Sequence, residues 1–229
     1  RRAASAGGSV AQNGMQYAKG FANASINADA ALDHRIGGLP HVALLQRLAR
    51  EKDSAVAEVE DALSEIAAFA LVRSRVARCR VACQPGAPAD AAVDALDAFL
   101  ASMPEGKDAT AGKPEPVVGD FLSEFSPAPS KAYVAVPSQT NYCAASFATV
   151  PYAHEDAAPL FLLGQAMSTE FLHRELREKG GAYGGGAAAN VGGGTFTFSS
   201  YRDPNQAETL RAFDNAVAWA ASGGAIGPR

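Results

Sequence analysis

Apolar positions recur along this chain at two spacings, and the switches between them mark its elements. Met15 to Asn27 alternates apolar and polar residues in the manner of a strand. After Gly37-Gly38 the spacing turns helical, with Leu44, Leu45 and Leu48 facing inward. A second helix follows, which Asp53 or Ser54 can cap because each offers a side-chain oxygen to the first free amides. In it Val56, Val59, Leu63, Ile66 and Ala70 recur at three- and four-residue steps, while Glu58, Glu60, Asp61 and Glu65 fall mainly elsewhere. This pattern predicts an amphipathic helix packed on a sheet. The run Arg78 to Gln84 alternates again, with Cys79, Val81 and Cys83 on one face of a strand. Pro85-Gly86 then turns the chain into a helix carrying Val93, Leu96, Leu100 and Met103.

From Pro104 to Ser130 the periodicity stops, and five prolines with scattered charges mark a linker. Beyond it, Lys131 to Pro137 and Cys143 to Val150 read as a strand pair, and Asp156 to Arg177 as one long helix. Leu160, Leu163, Met167 and Phe171 form a stripe on that helix, flanked by Leu162, Ala166 and Thr169, so its first half is expected to be nearly enclosed. Its charged last two turns must emerge into solvent or a cavity. Thr195 to Tyr201 alternates Phe196 and Phe198 against Thr195 and Thr197, a strand pattern. Asp203-Pro204-Asn205-Gln206 reads as N-cap, first-turn proline and capping-box glutamine of a helix with Leu210, Phe213 and Val217 inward, ending at Gly223-Gly224. The elements together predict an α+β architecture in two parts, each an antiparallel-rich sheet covered by helices: residues 1–103, a linker at 104–130, and residues 131–229.

Composition narrows the function classes. A chain of 229 residues with 48% hydrophobic and 19% charged residues has ample material for a buried core. The net charge of −4 predicts no affinity for nucleic acid, and no stretch has the apolar length of a membrane span. Three cysteines, an odd number, argue against a disulfide framework.

The chemistry-bearing segment lies where the long helix ends. Leu172-His173-Arg174-Glu175-Leu176-Arg177-Glu178-Lys179 runs into a stretch in which eight of the fifteen residues from Gly180 to Gly194 are glycine. Such a loop calls for positive φ angles or close approach by another chain, and its only large side chain is Tyr183. This motif, continued through Ser200-Tyr201-Arg202-Asp203-Pro204-Asn205 and Ala216-Val217-Ala218-Trp219-Ala220, resembles the pitrilysin-type inverted zincins, in particular the presequence protease and falcilysin branch. Val136-Pro137-Ser138-Gln139-Thr140-Asn141-Tyr142 carries the likeness upstream, with weaker signals at Gly14 to Ile26 and Gly37 to Leu48.

The resemblance implies a mitochondrial-processing-peptidase-like fold, with residues 1–103 matching the end of the family's third domain and 131–229 the start of its fourth. It implies a peptide-hydrolysing zinc enzyme of the mitochondrial matrix or plastid. Arg177 and Tyr183 match the family's Arg and Tyr, six residues apart, that reach the substrate backbone and the oxygen that becomes negative at the tetrahedral stage. Guanidinium and phenol are both donors suited to that task. Gly184, Gly185 and Gly186 beside them would let a peptide lie close to the backbone. The plainer reading makes Arg177 a solvated helix-end cation favoured by the macrodipole and Tyr183 a loop filler; the intact motif favours the functional one.

The zinc itself is expected outside this chain. None of His34, His41, His154 and His173 begins an H-x-x-E-H segment, and His154-Glu155 fails as H-E-x-x-H because position 158 is alanine. The chain is therefore expected to be part of a larger enzyme, inactive alone, whose partners are peptide substrates and the N-terminal catalytic half of the same polypeptide. On that ground the basic, small-residue start Arg1-Arg2-Ala3-Ala4-Ser5-Ala6 is read as mid-protein rather than as a targeting tail. The alternative is a catalytically inactive peptide-binding or scaffold module. Gly184 to Ala189 formally fits G-x-G-x-x-A, but it follows a helix and leads into a strand, the wrong order for dinucleotide phosphate. Ser138, Ser199 and Ser200 have no His/Asp arrangement that makes a hydrolase triad.

Overall fold

A computed structural model describes residues 8, 10–51, 53–73, 79–82, 84, 89–105, 123–128, 131–136 and 138–224, with backbone alone at 53–55. In chain order its elements are α1 (Gly14–Ala24), α2 (Ala28–Gly37), α3 (Leu39–Glu51), α4 (Asp53–Ala70), α5 (Ala89–Ser102), β1 (Ala144–Ala148), α6 (Ala157–Ala166), a π-helix (Met167–Lys179), β2 (Gly184–Asn190), β3 (Thr195–Tyr201) and α7 (Ala207–Ala221). The class is α+β, with an antiparallel three-stranded sheet in the order β1-β3-β2. The chain divides into two compact units, residues 1–49 with 120–229, and residues 50–119.

In the first unit β3 is the central strand. Thr195, Phe196, Thr197 and Phe198 are all buried, so both faces of its alternation are covered. The phenylalanine face packs under the π-helix and α7, where Leu172, Leu176, Met167, Phe213 and Ala216 complete the core, and Phe198 stacks on Phe213 at 5.4 Å. On the threonine face the Thr197 hydroxyl lies 3.0 Å from Asn23 Oδ1 of α1 and 3.0 Å from the Ser146 hydroxyl. A smaller cluster joins Val10 and Val42 with Tyr17, Leu39, Leu45 and Val136 around it.

The long helix forms where expected, but from Met167 it winds as a π-helix, whose bonds run from i+5 to i. The buried positions Met167, Leu172 and Leu176 are accordingly spaced by five and four residues. Leu172 is fully buried while Phe171, placed in the stripe by α-helical spacing, is half-buried against Trp219. The expectation that the first half is enclosed fails, since Phe161 and Leu162 are exposed. Its charged end does reach solvent: Arg174, Arg177, Glu178 and Lys179 are exposed.

Other expectations are corrected by the packing. Met15 to Asn27 is not a strand; Gly14–Ala24 is helical, because Tyr17 and Phe21, four residues apart, find partners in the Val42 cluster and the His34 ring. Residues 131–136 carry no strand, and β1 pairs with β3 in place of them. Leu44 faces outward, whereas Leu45 and Leu48 are half-buried and the buried position is Val42. The segment 180–194 is not one loop, since Gly184–Asn190 forms β2. Helix α7 begins at Ala207, so Asp203 caps no helix: its Oδ1 accepts from the Asn205 amide at 2.8 Å, closing a turn ahead of the helix. Leu210 and Val217 lie outward on α7, and Thr209, Ala212, Phe213 and Ala216 lie inward.

The second unit holds α4 and α5, as the periodicity predicts. The stripe of α4 packs on no sheet among the described residues: Val56, Leu63 and Ile66 are exposed. The expected strand at 78–84 is also corrected, for residues 79–82 are not in a strand and Cys79 is exposed. Arg78, Cys83, most of the linker and the capping side chains of Asp53 and Ser54 lie outside what is described.

Candidate functional site

The π-helix brings Arg177 to solvent one position after the buried Leu176, which anchors the helix end in the core. Three backbone bonds then close the chain reversal: Gly180 donates to the Glu175 carbonyl, Gly181 to Arg177, and Ala182 to Leu176. Gly181 sits at φ +76°, where a Cβ is disfavoured, so the turn depends on glycine there. The next residue inward, Ala182, is buried, and Tyr183 emerges with 65% of its surface exposed.

This reversal sets the Arg177 guanidinium over the Tyr183 ring, 5.8 Å from its centroid. An exposed cation–π contact of this kind contributes about 0.5–1 kcal/mol, enough to bias an orientation without locking it. Among the described residues Arg177 makes no ion pair, although its neighbours do: Lys179 Nζ lies 2.6 Å from Glu175 Oε1 and His173 Nδ1 3.4 Å from Glu178 Oε1. The Tyr183 hydroxyl likewise has no hydrogen bond to another described residue, so both donors point to solvent. Beneath them the Tyr183 ring stands edge-on to Tyr201 at 5.8 Å, Tyr201 lies 5.6 Å from Tyr142, and the Arg202 guanidinium caps Tyr201 at 5.3 Å.

The three glycines that follow differ in what surrounds them. A Cβ on Gly184 would meet nothing within 4 Å. One on Gly185 would collide with Leu176 and the Ser199 carbonyl, and one on Gly186 with the Ser168 hydroxyl. That hydroxyl accepts from the Ala187 amide at 2.9 Å and lies 3.0 Å from the Ala187 carbonyl, so the middle of the outer strand is covered by the π-helix. The motif had singled out Arg177, Tyr183 and the glycines as candidates; the structure places Ser168, Tyr201 and Asn205 around them, of which Tyr201 and Asn205 stood inside the quoted motif without a role.

The described residues do not fit a metal centre. No group of three or more His, Cys, Asp or Glu among them is placed to hold an ion. Burial pushes the Cys143 thiol pKa up, and the nearby Asp203 carboxylate adds to this against the Ser200 hydroxyl, so the neutral thiol is favoured. Elsewhere in the first unit a cleft of about 590 Å³ is lined by Asn23, Asn27, Asp33, His34, Asn190 and Thr195 among others, but Arg177 and Tyr183 do not line it. Among the described residues no helix is long and apolar enough to cross a membrane.

The sequence of residues 131–221 matches the family described as the PreP C-terminal domain. The class so defined is the C-terminal domain of a presequence peptidase. Over 93% of its length the chain is 34% identical to the mitochondrial presequence protease of Danio rerio, covering 22% of that protein. It is 36% identical to that of Yarrowia lipolytica over 92% of the chain and 20% of the relative. Against the Mus musculus protein identity reaches 50% over 99 residues, 43% of the chain and 10% of the relative. The chain thus spans about a fifth of the length of the curated relatives it matches. These matches support reading the chain as a C-terminal part of a presequence protease.

Proposed function

We propose that this chain forms the non-catalytic C-terminal half-chamber of a zinc metalloendopeptidase that degrades short unstructured peptides, such as cleaved targeting presequences. Arg177 and Tyr183 contact the substrate backbone and the oxygen that gains negative charge, and Gly184, Gly185 and Gly186 flank the peptide. The observation that carries this reading is the pairing itself: two exposed donor side chains on one glycine-closed turn, the Arg177 guanidinium 5.8 Å from the centroid of the Tyr183 ring, with no competing partner among the described residues. Zinc would be held by another part of the same polypeptide, which also supplies the peptide-cleaving step. Residues 1–103 and 131–229 would then belong to two successive peptidase-like domains joined by 104–130. The mitochondrial designation of the relatives supports the mitochondrial location over a plastid.

The test is kinetic, in the full-length enzyme. Tyr183→Phe removes one hydroxyl and keeps the ring, so kcat should fall by on the order of 10²-fold with KM little changed and zinc content intact. Arg177→Lys keeps the charge but loses the planar fork, and turnover should fall as well. Wild-type kcat in both variants would return the pair to a helix-end cation and a loop tyrosine.

A further inference from the structure

The turn that joins Arg177 to Tyr183 is tied to a second one at residues 201–205. Tyr183 donates its amide to the carbonyls of Tyr201 at 3.1 Å and Arg202 at 3.3 Å. Asn205 reaches the other side of the turn, its Nδ2 donating to the Gly180 carbonyl at 2.6 Å. That carbonyl ends the π-helix, where carbonyls lack intrahelical partners and are satisfied by caps or by water.

Asn205 is itself held rigidly. Asp203 is 1% exposed, and its carboxylate accepts from the Asn205 amide at 2.8 Å and from the Thr209 hydroxyl at 2.6 Å. The Asp203 backbone exchanges two hydrogen bonds with Asn141, at 2.7 and 2.9 Å, and the Asn141 side chain adds a third at 3.0 Å. Between the two turns, Arg202 adopts φ +48°, a conformation that non-glycine residues keep where surrounding contacts impose it. The buried carboxylate therefore fixes a strained reversal whose carbonyls grip Tyr183 and whose Asn205 grips Gly180.

We propose that Asn205, oriented by the buried Asp203, is the positioning residue of the Arg177–Tyr183 pair, setting the distance between the helix end and the tyrosine by clamping the Gly180 carbonyl. This deepens the role proposed above for that pair and rests on it for its catalytic consequence. Asn205 is no catalytic residue, since it touches the turn rather than the substrate. A misplacement of about 1 Å in a positioned donor costs on the order of 10²-fold in rate, so a clamp acting at one remove is expected to show a smaller loss.

The experiment uses the full-length enzyme with Asn205→Asp, which keeps the shape but replaces the Nδ2 donor by a carboxylate oxygen facing a carbonyl. Hydrogen exchange at the Ala182 and Tyr183 amides is expected to speed up roughly tenfold, with the amides of β3 and α7 unchanged. kcat on an unstructured peptide is expected to fall roughly tenfold with KM held, and to fall no further when Asn205→Asp is added to Tyr183→Phe. Asp203→Asn, which weakens the acceptor on the Asn205 amide, is expected to speed the same two amides and serves as the second variant. Unchanged exchange at Tyr183 in both variants overturns the clamp. Faster exchange across the whole sheet, or a kcat loss that simply multiplies with that of Tyr183→Phe, overturns positioning in favour of general stability. Wild-type kcat in Tyr183→Phe alone overturns the catalytic role of the pair and leaves the clamp to be decided by exchange.

Discussion

Replacing Gly184 and Gly185 by alanine, one at a time, separates the folding role of the glycine run from its proposed role beside a peptide. Neither residue has positive φ, so alanine is conformationally allowed at both. At 184 the new Cβ meets nothing within 4 Å, whereas at 185 it would stand 2.6 Å from Leu176 Cδ1 and 2.7 Å from the Ser199 carbonyl oxygen. Leu176 is buried in the core, and Ser199 belongs to the central strand, so relief requires Leu176 to move or β2 to part from β3. Overpacking of this kind typically costs about 1–3 kcal/mol. At 184 the balance runs the other way, because restricting the unfolded chain is expected to stabilise by about 0.4–1 kcal/mol. Urea denaturation read at constant m-value should therefore lower the midpoint for Gly185→Ala and leave it level or raised for Gly184→Ala. Equal midpoints would refute the packing argument. Because the methyl at 184 projects into open space next to Tyr183, Gly184→Ala is also the clean probe of peptide binding. KM should rise several-fold in a fully folded enzyme, and an unchanged KM would remove Gly184 from the binding surface.

Iodoacetamide at pH 8 should modify the exposed Cys79 and spare Cys143 until the chain unfolds, as read by peptide mapping, because burial raises the Cys143 pKa. A raised folded pKa means that this contribution to stability is full below the ordinary value of 9.0 and is lost as pH climbs above it; Cys143→Ala should flatten that alkaline slope. Burial instead depresses the His34 pKa, so its contribution is present above 6.5 and is lost as pH falls through the folded value; His34→Gln should reduce the loss of stability measured between about pH 7 and 5. Leu172→Ala should cost about 2–5 kcal/mol and more than Phe171→Ala, since the π-winding buries the former fully; the reverse order in thermal or urea melts would mean the helix is wound as an α-helix.

The helices were legible because their signal is local. Val59 and Leu63, or Leu160 and Leu163, declare a helical repeat whatever surrounds them, and α4, α5, α6 and α7 lie close to where the spacing puts them. Which face is buried was less legible, because it depends on winding and on partners. The π-helix moved the buried position from Phe171 to Leu172, and nothing in the 167–179 sequence announces a five-residue hydrogen-bond step. Thr195–Tyr201 and Ala144–Ala148 are strands where their sequence puts them, but two other segments were misread in opposite directions. Met15 to Asn27 has a weak alternation that helical partners overrode, and Gly184–Asn190 is a strand with scarcely a side chain to alternate. Its pairing comes from β3 and from the Ser168 hydroxyl on its far side, both distant in sequence. Arg177 and Tyr183 were legible through the motif, yet the residues that hold them were not. Asp203-Pro204-Asn205 has the composition of a helix start and acts as one turn's clamp on another, a distinction that exists only in the contacts.

The exposure of the pair carries a physical consequence for what it can do. The anchors of the turn are buried, Leu176 and Ala182 at its base and Asp203 behind the half-buried Asn205, while the two donors stand in water. In water a charge pair at 4 Å is worth about 1 kcal/mol, and at an effective dielectric near 20 about four times that. Donors aimed at developing negative charge gain their strength when solvent is excluded. Donors standing in water, as Arg177 and Tyr183 do here, are therefore weak, and a second surface that covered them would strengthen them. The half-chamber proposed above calls for such an arrangement, with rigid support behind and open donors in front. The same logic explains why the groups are presented on a turn rather than within the sheet, since a turn at the end of a buried helix can reach across a gap while its anchor stays in the core.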